Sequence, residues 1–159
     1  EKALLKLILM HPSFPLLHYN LAVAFASQGR LQEAKQSLSR CATNPKLKVP
    51  QCSANLGNIL VQQGHLDAAL EVYQLGLTRY PWYAPLHSGL AAARIRRGEF
   101  AKGLAAALEA VALKPRRVHY RLQAALAARR KGDMEAAVAV LGEGLAQMGA
   151  GEEDAVLHE

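Results

Sequence analysis

Six histidines (His11, His18, His65, His87, His119 and His158) and two cysteines (Cys41 and Cys52) are the side chains of this 159-residue chain best suited to hold a metal or carry thiol chemistry. Their spacing supports neither. No two histidines fall in HExxH or another ligand spacing, and the cysteines form no CxxC. Ser, Asp and His all occur, but no motif such as GxSxG frames a nucleophile. Gly142, Gly144, Gly149 and Gly151 cluster after a helical pattern rather than a strand, which argues against a phosphate loop. The sequence therefore offers no catalytic residue, no metal ligand and no cofactor motif, and reads as non-enzymatic. Free, partly buried thiols are the default for Cys41 and Cys52. A bond between them would imply an oxidising compartment.

The strongest pattern is periodic. Gly29, Gly64, Gly98 and Gly132 are 35, 34 and 34 residues apart. Each is followed two residues later by an apolar side chain (Leu31, Leu66, Phe100, Met134) and five residues later by a small one (Ala34, Ala69, Gly103, Ala137). Glycine enters the left-handed conformation that ends a helix at little cost, so each is expected to close one helix and open the next. Pro12, Pro45, Pro81 and Pro115 close successive units, and the last unit is expected to end at Gly149. Within the central unit Leu56, Ile59, Leu60 and Gln63 lie at helical spacing with Gly57 beside them. A helical Gly costs roughly 1 kcal/mol relative to Ala, and the expected return is close approach of another backbone. Ala69 and Tyr73 repeat the small–large pairing on the next helix.

Ser53-x2-Leu56-Gly57-x2-Leu60, then Ala69-x3-Tyr73, then Pro81 resembles the tetratricopeptide repeat, with only the leading Trp missing. His18 and His87 occupy that Trp slot in their units, which implies packing rather than metal binding. The resemblance implies an all-α, right-handed superhelix of helix-turn-helix repeats. The expected layout is the second helix of a truncated repeat at 1–14, repeats at 15–49, 50–83, 84–117 and 118–149, and a cap or partial helix at 150–159, all in one solenoid domain. The extra residue of the first repeat is expected in the loop Asn44–Pro50. Residues 1–11 could pass for the core of a signal peptide. Two lysines interrupt the run, no cleavage site follows, and Pro12 is in register with the repeat ends. The chain is accordingly expected to be cut from a longer array.

In proteins similar to this one the first helices line a concave groove that holds an extended peptide. Carried over position by position, the resemblance implies Tyr19, Asn20 and Ser27; Gln51, Asn55, Asn58 and Gln62; Ser88 and Arg96; and His119, Gln123, Arg129 and Arg130. The principal set is Tyr19, Asn20, Asn55, Asn58, Gln62, Arg96, Gln123 and Arg130. A side-chain amide has an acceptor and two donors, and so can pair with a peptide backbone without reading its side chains. Asn20 and Asn55 share one repeat position, similar to the asparagine ladder of the superhelical domain of O-linked N-acetylglucosamine transferases, but the column breaks at Gly89 and becomes Gln123. The carboxylate clamp of chaperone-binding relatives would need cations and amides at Tyr19, Val23, Asn55, Pro85 and Gly89, and only Asn55 fits. Arg94 stands where Phe25 and Leu60 place apolar groups, lying along apolar surface or pairing with an acidic client.

The net charge of +6 is unevenly spread. From Arg94 to Lys131 there are eleven Lys and Arg against Glu99 and Glu109, a balance of +9; the remainder holds eight basic and eleven acidic residues, a balance of −3. Helix-end placement accounts for Arg96, Arg97, Arg129, Arg130 and Lys131 individually, while the stretch as a whole suits an acidic partner. No aromatic residues interleave with these cations as stacking platforms, which argues against nucleic acid. No apolar run approaches the ~20 residues of a membrane span. The Ala- and Arg-rich composition is of the kind a GC-rich bacterial genome encodes. The expected function is a non-catalytic protein–protein scaffold, with no cofactor, binding a protein or extended peptide in its groove. The alternatives are the substrate-recognition region of a larger enzyme and a self-associating structural array. The cytoplasm is the first expectation for its location, the periplasm the second.

Overall fold

A computed structural model of the chain describes residues 6, 10, 11, 14–44 and 48–156, of which residue 15 and residues 147–156 are described by backbone only. The helix expected over 1–14 falls largely outside the described residues, as do the middle of the loop expected at Asn44–Pro50 and the end of the tail.

Eight helices and no strand are found among the described residues. They are α1 (Pro15–Ser27), α2 (Leu31–Thr43), α3 (Pro50–Gln62), α4 (Leu66–Arg79), α5 (Ala84–Arg96), α6 (Phe100–Leu113), α7 (Val118–Lys131) and α8 (Met134–Val156). Proline stands in the first turn of α1, α3 and α5, where its fixed φ suits the helix and its missing N–H costs nothing. Gly29, Gly64, Gly98 and Gly132 take φ of 73°, 80°, 85° and 90°, and no other described residue has a positive φ. Behind each glycine the next N–H reaches back to a carbonyl five residues earlier. Arg30 donates to Phe25, His65 to Leu60, Glu99 to Arg94 and Asp133 to Ala128, each at 2.9 Å. Paired with the glycine N–H bonds to Ala26, Val61, Ile95 and Arg129, this is the Schellman closure of a helix end.

The chain forms two compact units, Glu1–Pro81 and Trp82–Glu159. In the first, α1 packs on α2, α2 on α3 and α3 on α4. Its core is built from large side chains, among them Leu21, Phe25, Leu38, Leu56, Ile59, Leu60 and Tyr73. Gly57 exists for Tyr73: a Cβ there would lie 2.4 Å from Tyr73 Cε1 and Cζ. The close approach expected at Gly57 is therefore real, but it is made by an aromatic ring and not by backbone. Cys41 and Cys52 are bonded, with Cα atoms 5.9 Å apart. This corrects the expectation of free thiols. The end of α2 lies beside the start of α3, and both cysteines are buried there.

In the second unit α5 packs on α6, α6 on α7, α7 on α8, and α5 also touches α7. Here the core is mostly alanine: Ala84, Ala91, Ala93, Ala106, Ala107, Ala110, Ala124, Ala125, Ala127, Ala128 and Ala137 are all buried. Burying a Leu or Phe contributes roughly 1.5–3 kcal/mol and a single methylene about 0.8, so these helices gain less per buried residue. Helix α8 runs unbroken from Met134 to Val156, across the Gly149 where the sequence places the end of the last unit. Each helical Gly costs only about 1 kcal/mol, and no proline enforces a stop.

Candidate functional site

In the first unit α1 and α3 flank a groove of about 340 Å3, lined by Ala22, Val23, Ala26, Ser27, Leu38, Asn55, Asn58 and Ile59. Leu38 from α2 and Ile59 make its apolar floor, and both are buried. Asn55 and Asn58 are one helical turn apart on α3 and bring two amides to the lining. The Tyr73 hydroxyl donates to Asn58 Oδ1 at 2.7 Å, which fixes the amide plane and leaves its N–H2 group as the donor side. Asn55 is half-buried, and its amide makes no hydrogen bond among the described residues. Ser27 turns its hydroxyl back to the Ala24 carbonyl at 2.9 Å.

Of the residues named from sequence, the groove thus gathers Ser27, Asn55 and Asn58. Tyr19, Asn20, Gln51 and Gln62 lie on the same two helices but outside its lining, with Asn20 and Gln62 exposed. In the second unit Ser88 and Gln123 satisfy each other across α5 and α7. Ser88 Oγ donates to Gln123 Oε1 at 2.7 Å, and Gln123 Nε2 donates to the Ser88 carbonyl at 2.9 Å. Arg96 and Arg130 are exposed in the last turns of α5 and α7, as is Arg129. Arg94 donates to the Lys102 carbonyl at 3.2 Å, tying the end of α5 to α6.

Arg121 fills the repeat position that Ser53 and His87 hold elsewhere, and is only 5% exposed. It donates from Nε to the Pro115 carbonyl at 3.0 Å and from Nη1 to the Val140 carbonyl at 3.2 Å. It passes so close to Gly144 that a Cβ there would lie 2.7 Å from its Cδ. The sequence gives no sign that this one cation of the basic stretch is structural.

The reading from sequence missed a second cleft, of about 1030 Å3, in the second unit. Trp82 and Tyr83 face Lys114, Arg116, Arg117 and His119 across it. The signal was there in the pair Trp82–Tyr83 and the run Lys114–Arg117, but it lies on connections rather than on helix faces. Among the described residues no group of three His, Cys, Asp or Glu is arranged to hold a metal, and no helix is long and apolar enough to cross a membrane.

Two family models described as tetratricopeptide repeat match the chain, one over residues 1–44 and one over 50–81. No curated protein sequence matches it. Among solved structures, a crystal structure of MamA is similar over 96% of this chain and 88% of its own, at 19% identity and a TM-score of 0.78. MamA from residue 41 to its end, from Desulfovibrio magneticus RS-1, is similar over 94% and 84%, at 21% identity and a TM-score of 0.76. The structure of the APC/C hetero-tetramer Cut9–Hcn1 is similar over 91% of this chain but 29% of the matched one, at 19% identity and a TM-score of 0.73. Likeness at such identities is one of fold. Tetratricopeptide-repeat models over residues 1–44 and 50–81, and a shared fold over nearly all of the chain, lead to one conclusion: this is an all-α fold of tetratricopeptide-repeat type.

Proposed function

We propose that the chain is a non-catalytic scaffold that holds an extended segment of a partner protein in the groove between α1 and α3. One observation carries the reading: Asn55 and Asn58 stand over an apolar floor, the first without a partner among the described residues and the second oriented by Tyr73. Amides so placed can bond a peptide backbone while the floor takes an apolar side chain. The likeness to the Cut9–Hcn1 assembly is in keeping with partner binding. The test begins with capture of partners on the whole chain, followed by calorimetry of the retained segment. Asn55→Ala is expected to weaken many segments by a similar amount, about 1 kcal/mol for a lost hydrogen bond. Unchanged affinity in Asn55→Ala, with loss in the second-helix variant Lys35→Glu, would overturn the groove.

A second reading, a self-associating array, is favoured by an exposed apolar face of α7 and α8. Leu122, Leu126, Met134, Val138, Leu141 and Leu145 are all exposed there, and most of them line a shallow apolar cleft of about 310 Å3. Contiguous apolar surface of this kind marks interaction sites. Light scattering across a concentration series decides it, since self-association raises the apparent mass with concentration.

A further inference from the structure

We infer that the cleft between Trp82–Tyr83 and Lys114–His119 is a second binding site, for an acidic peptide segment that carries a large apolar or aromatic side chain. This inference stands apart from the α1–α3 groove and does not need it.

Lys114, Arg116 and Arg117 line the cleft, no carboxylate does, and none of the three has an ion-pair or hydrogen-bonded side-chain partner among the described residues. Other cations of the same basic stretch are engaged: Arg97 and Lys102 pair with Glu99, and Lys131 with Asp133. The cleft also opens at the starts of α5 and α7. Neither helix has a side-chain cap on its first N–H groups, so the positive ends of two helix dipoles add to the three cations. Arg117 is close enough to the buried Tyr120 wall to act on its phenol, which burial holds above the ordinary tyrosine pKa while the Arg117 charge pulls it down.

The shape of the cleft selects the rest of the ligand. Trp82 is 60% exposed, a large apolar surface open at the mouth of the cleft. Tyr83 meets it edge-on, with centroids 6.0 Å apart and planes at 84°. The His119 ring lies 3.9 Å from that of Tyr120. Rings beside unpaired cations hold a side chain that is apolar itself and flanked by carboxylates. A single strand of nucleic acid needs successive parallel faces on which to stack its bases, and the perpendicular Trp82–Tyr83 pair does not provide them.

Trp82 is the chain's one tryptophan, so its emission reports on the cleft directly. The probe is a capped heptapeptide of glutamates around a central phenylalanine, titrated into the whole chain with calorimetry alongside. A saturable change in Trp82 emission is expected. Affinity should fall about tenfold or more in the double variant Arg116→Glu with Arg117→Glu, since two charge-assisted contacts become repulsions. Both residues are exposed, and an unchanged circular dichroism melt will verify the fold. The glutamine version of the peptide should bind weakly, and salt should weaken the glutamate version. Asn55→Ala should leave this binding unchanged, which separates the cleft from the groove. Absence of saturation at millimolar peptide would overturn the inference. So would equal binding of the glutamine version, or a thymidine octamer that binds tighter and is lost in the same double variant.

Discussion

The two units solve the same packing problem from opposite sides. In α3–α4 the small residue, Gly57, is on the first helix of the hairpin and the large one, Tyr73, is on the second. In α5–α6 the order is reversed: Gly103 on the second helix receives Ile95 from the first, whose Cγ1 would lie 2.8 Å from an added Cβ. In α7–α8 it is reversed again relative to the first unit, with Gly144 on the second helix receiving Arg121. At the repeat positions of Gly57 and Tyr73 the α5–α6 hairpin has Ala91 and Ala107, both fully buried. What a helical hairpin must preserve is therefore complementarity, one gap for each bulky group. Which helix supplies the gap is free to change, because the volume filled is the same.

The units also differ in how they are tied. The first has a disulfide, the Tyr73–Asn58 bond and a bond of 2.8 Å from Arg79 Nη1 to the Ala42 carbonyl. The second relies on buried alanines and on polar side chains that reach across helices: Arg121 to α8 and Gln123 to α5. The largest expected effect tests that contrast. Replacing Cys41 and Cys52 together by Ser, or reducing the bond, should destabilise the first unit by about 2–4 kcal/mol, the usual worth of a disulfide. Amide hydrogen exchange should locate the loss in α2 and α3. Faster exchange confined to the second unit would show that the bond is not what holds the first together.

A smaller effect sharpens the complementarity argument. Gly57→Ala should cost about 1–3 kcal/mol, the usual range for overpacking a filled core, because the obstacle is a buried aromatic ring. Gly144→Ala should cost much less, since the obstacle is the flexible stem of Arg121 and alanine recovers about 1 kcal/mol of helix propensity. Urea melts of both variants give the comparison. Adding Tyr73→Leu to Gly57→Ala should recover part of the loss. Equal costs for the two glycines, with no recovery in the double variant, would show that Tyr73 does not set the requirement for Gly57.

What was legible in the sequence follows from the range of each interaction. The turns were read correctly because a left-handed residue is a one-residue property, and Gly29, Gly64, Gly98 and Gly132 mark it at a fixed period. The small–large logic was read at Gly57, but the group that fills the gap lies 16 residues away on another helix. The same limit explains Gln123 and Ser88. Repeat register placed both on first helices, yet nothing in a register says that two such side chains satisfy each other. Along the chain Trp82 and Tyr83 are about thirty residues from Lys114–Arg117, and they meet them only in the fold.

The smallest effect concerns the four hairpin turns. Arg30, His65 and Glu99 precede the second helices of their hairpins without a side-chain cap. Asp133 does cap its helix: its Oδ1 accepts the Ala136 N–H at 3.0 Å, and Lys131 reaches its other oxygen at 3.3 Å. The backbone bond first, then Lys131, holds the Asp133 carboxyl below the usual aspartate range. The folded chain thus favours the charged form more than the unfolded chain does. Its contribution is complete above the unfolded-state pKa of aspartate and is lost as pH falls through the lower folded-state value. Glu33, lowered chiefly by its hydrogen bond with Arg30, titrates with the same sign in the first unit. Asp133→Asn keeps a capping oxygen but removes the charge. It should therefore lower the melting temperature slightly at neutral pH and leave it unchanged at a pH below both values. A deficit of equal size at both pH values would assign the effect to cap geometry alone, and would leave the last turn no different in its electrostatics from the three uncapped ones.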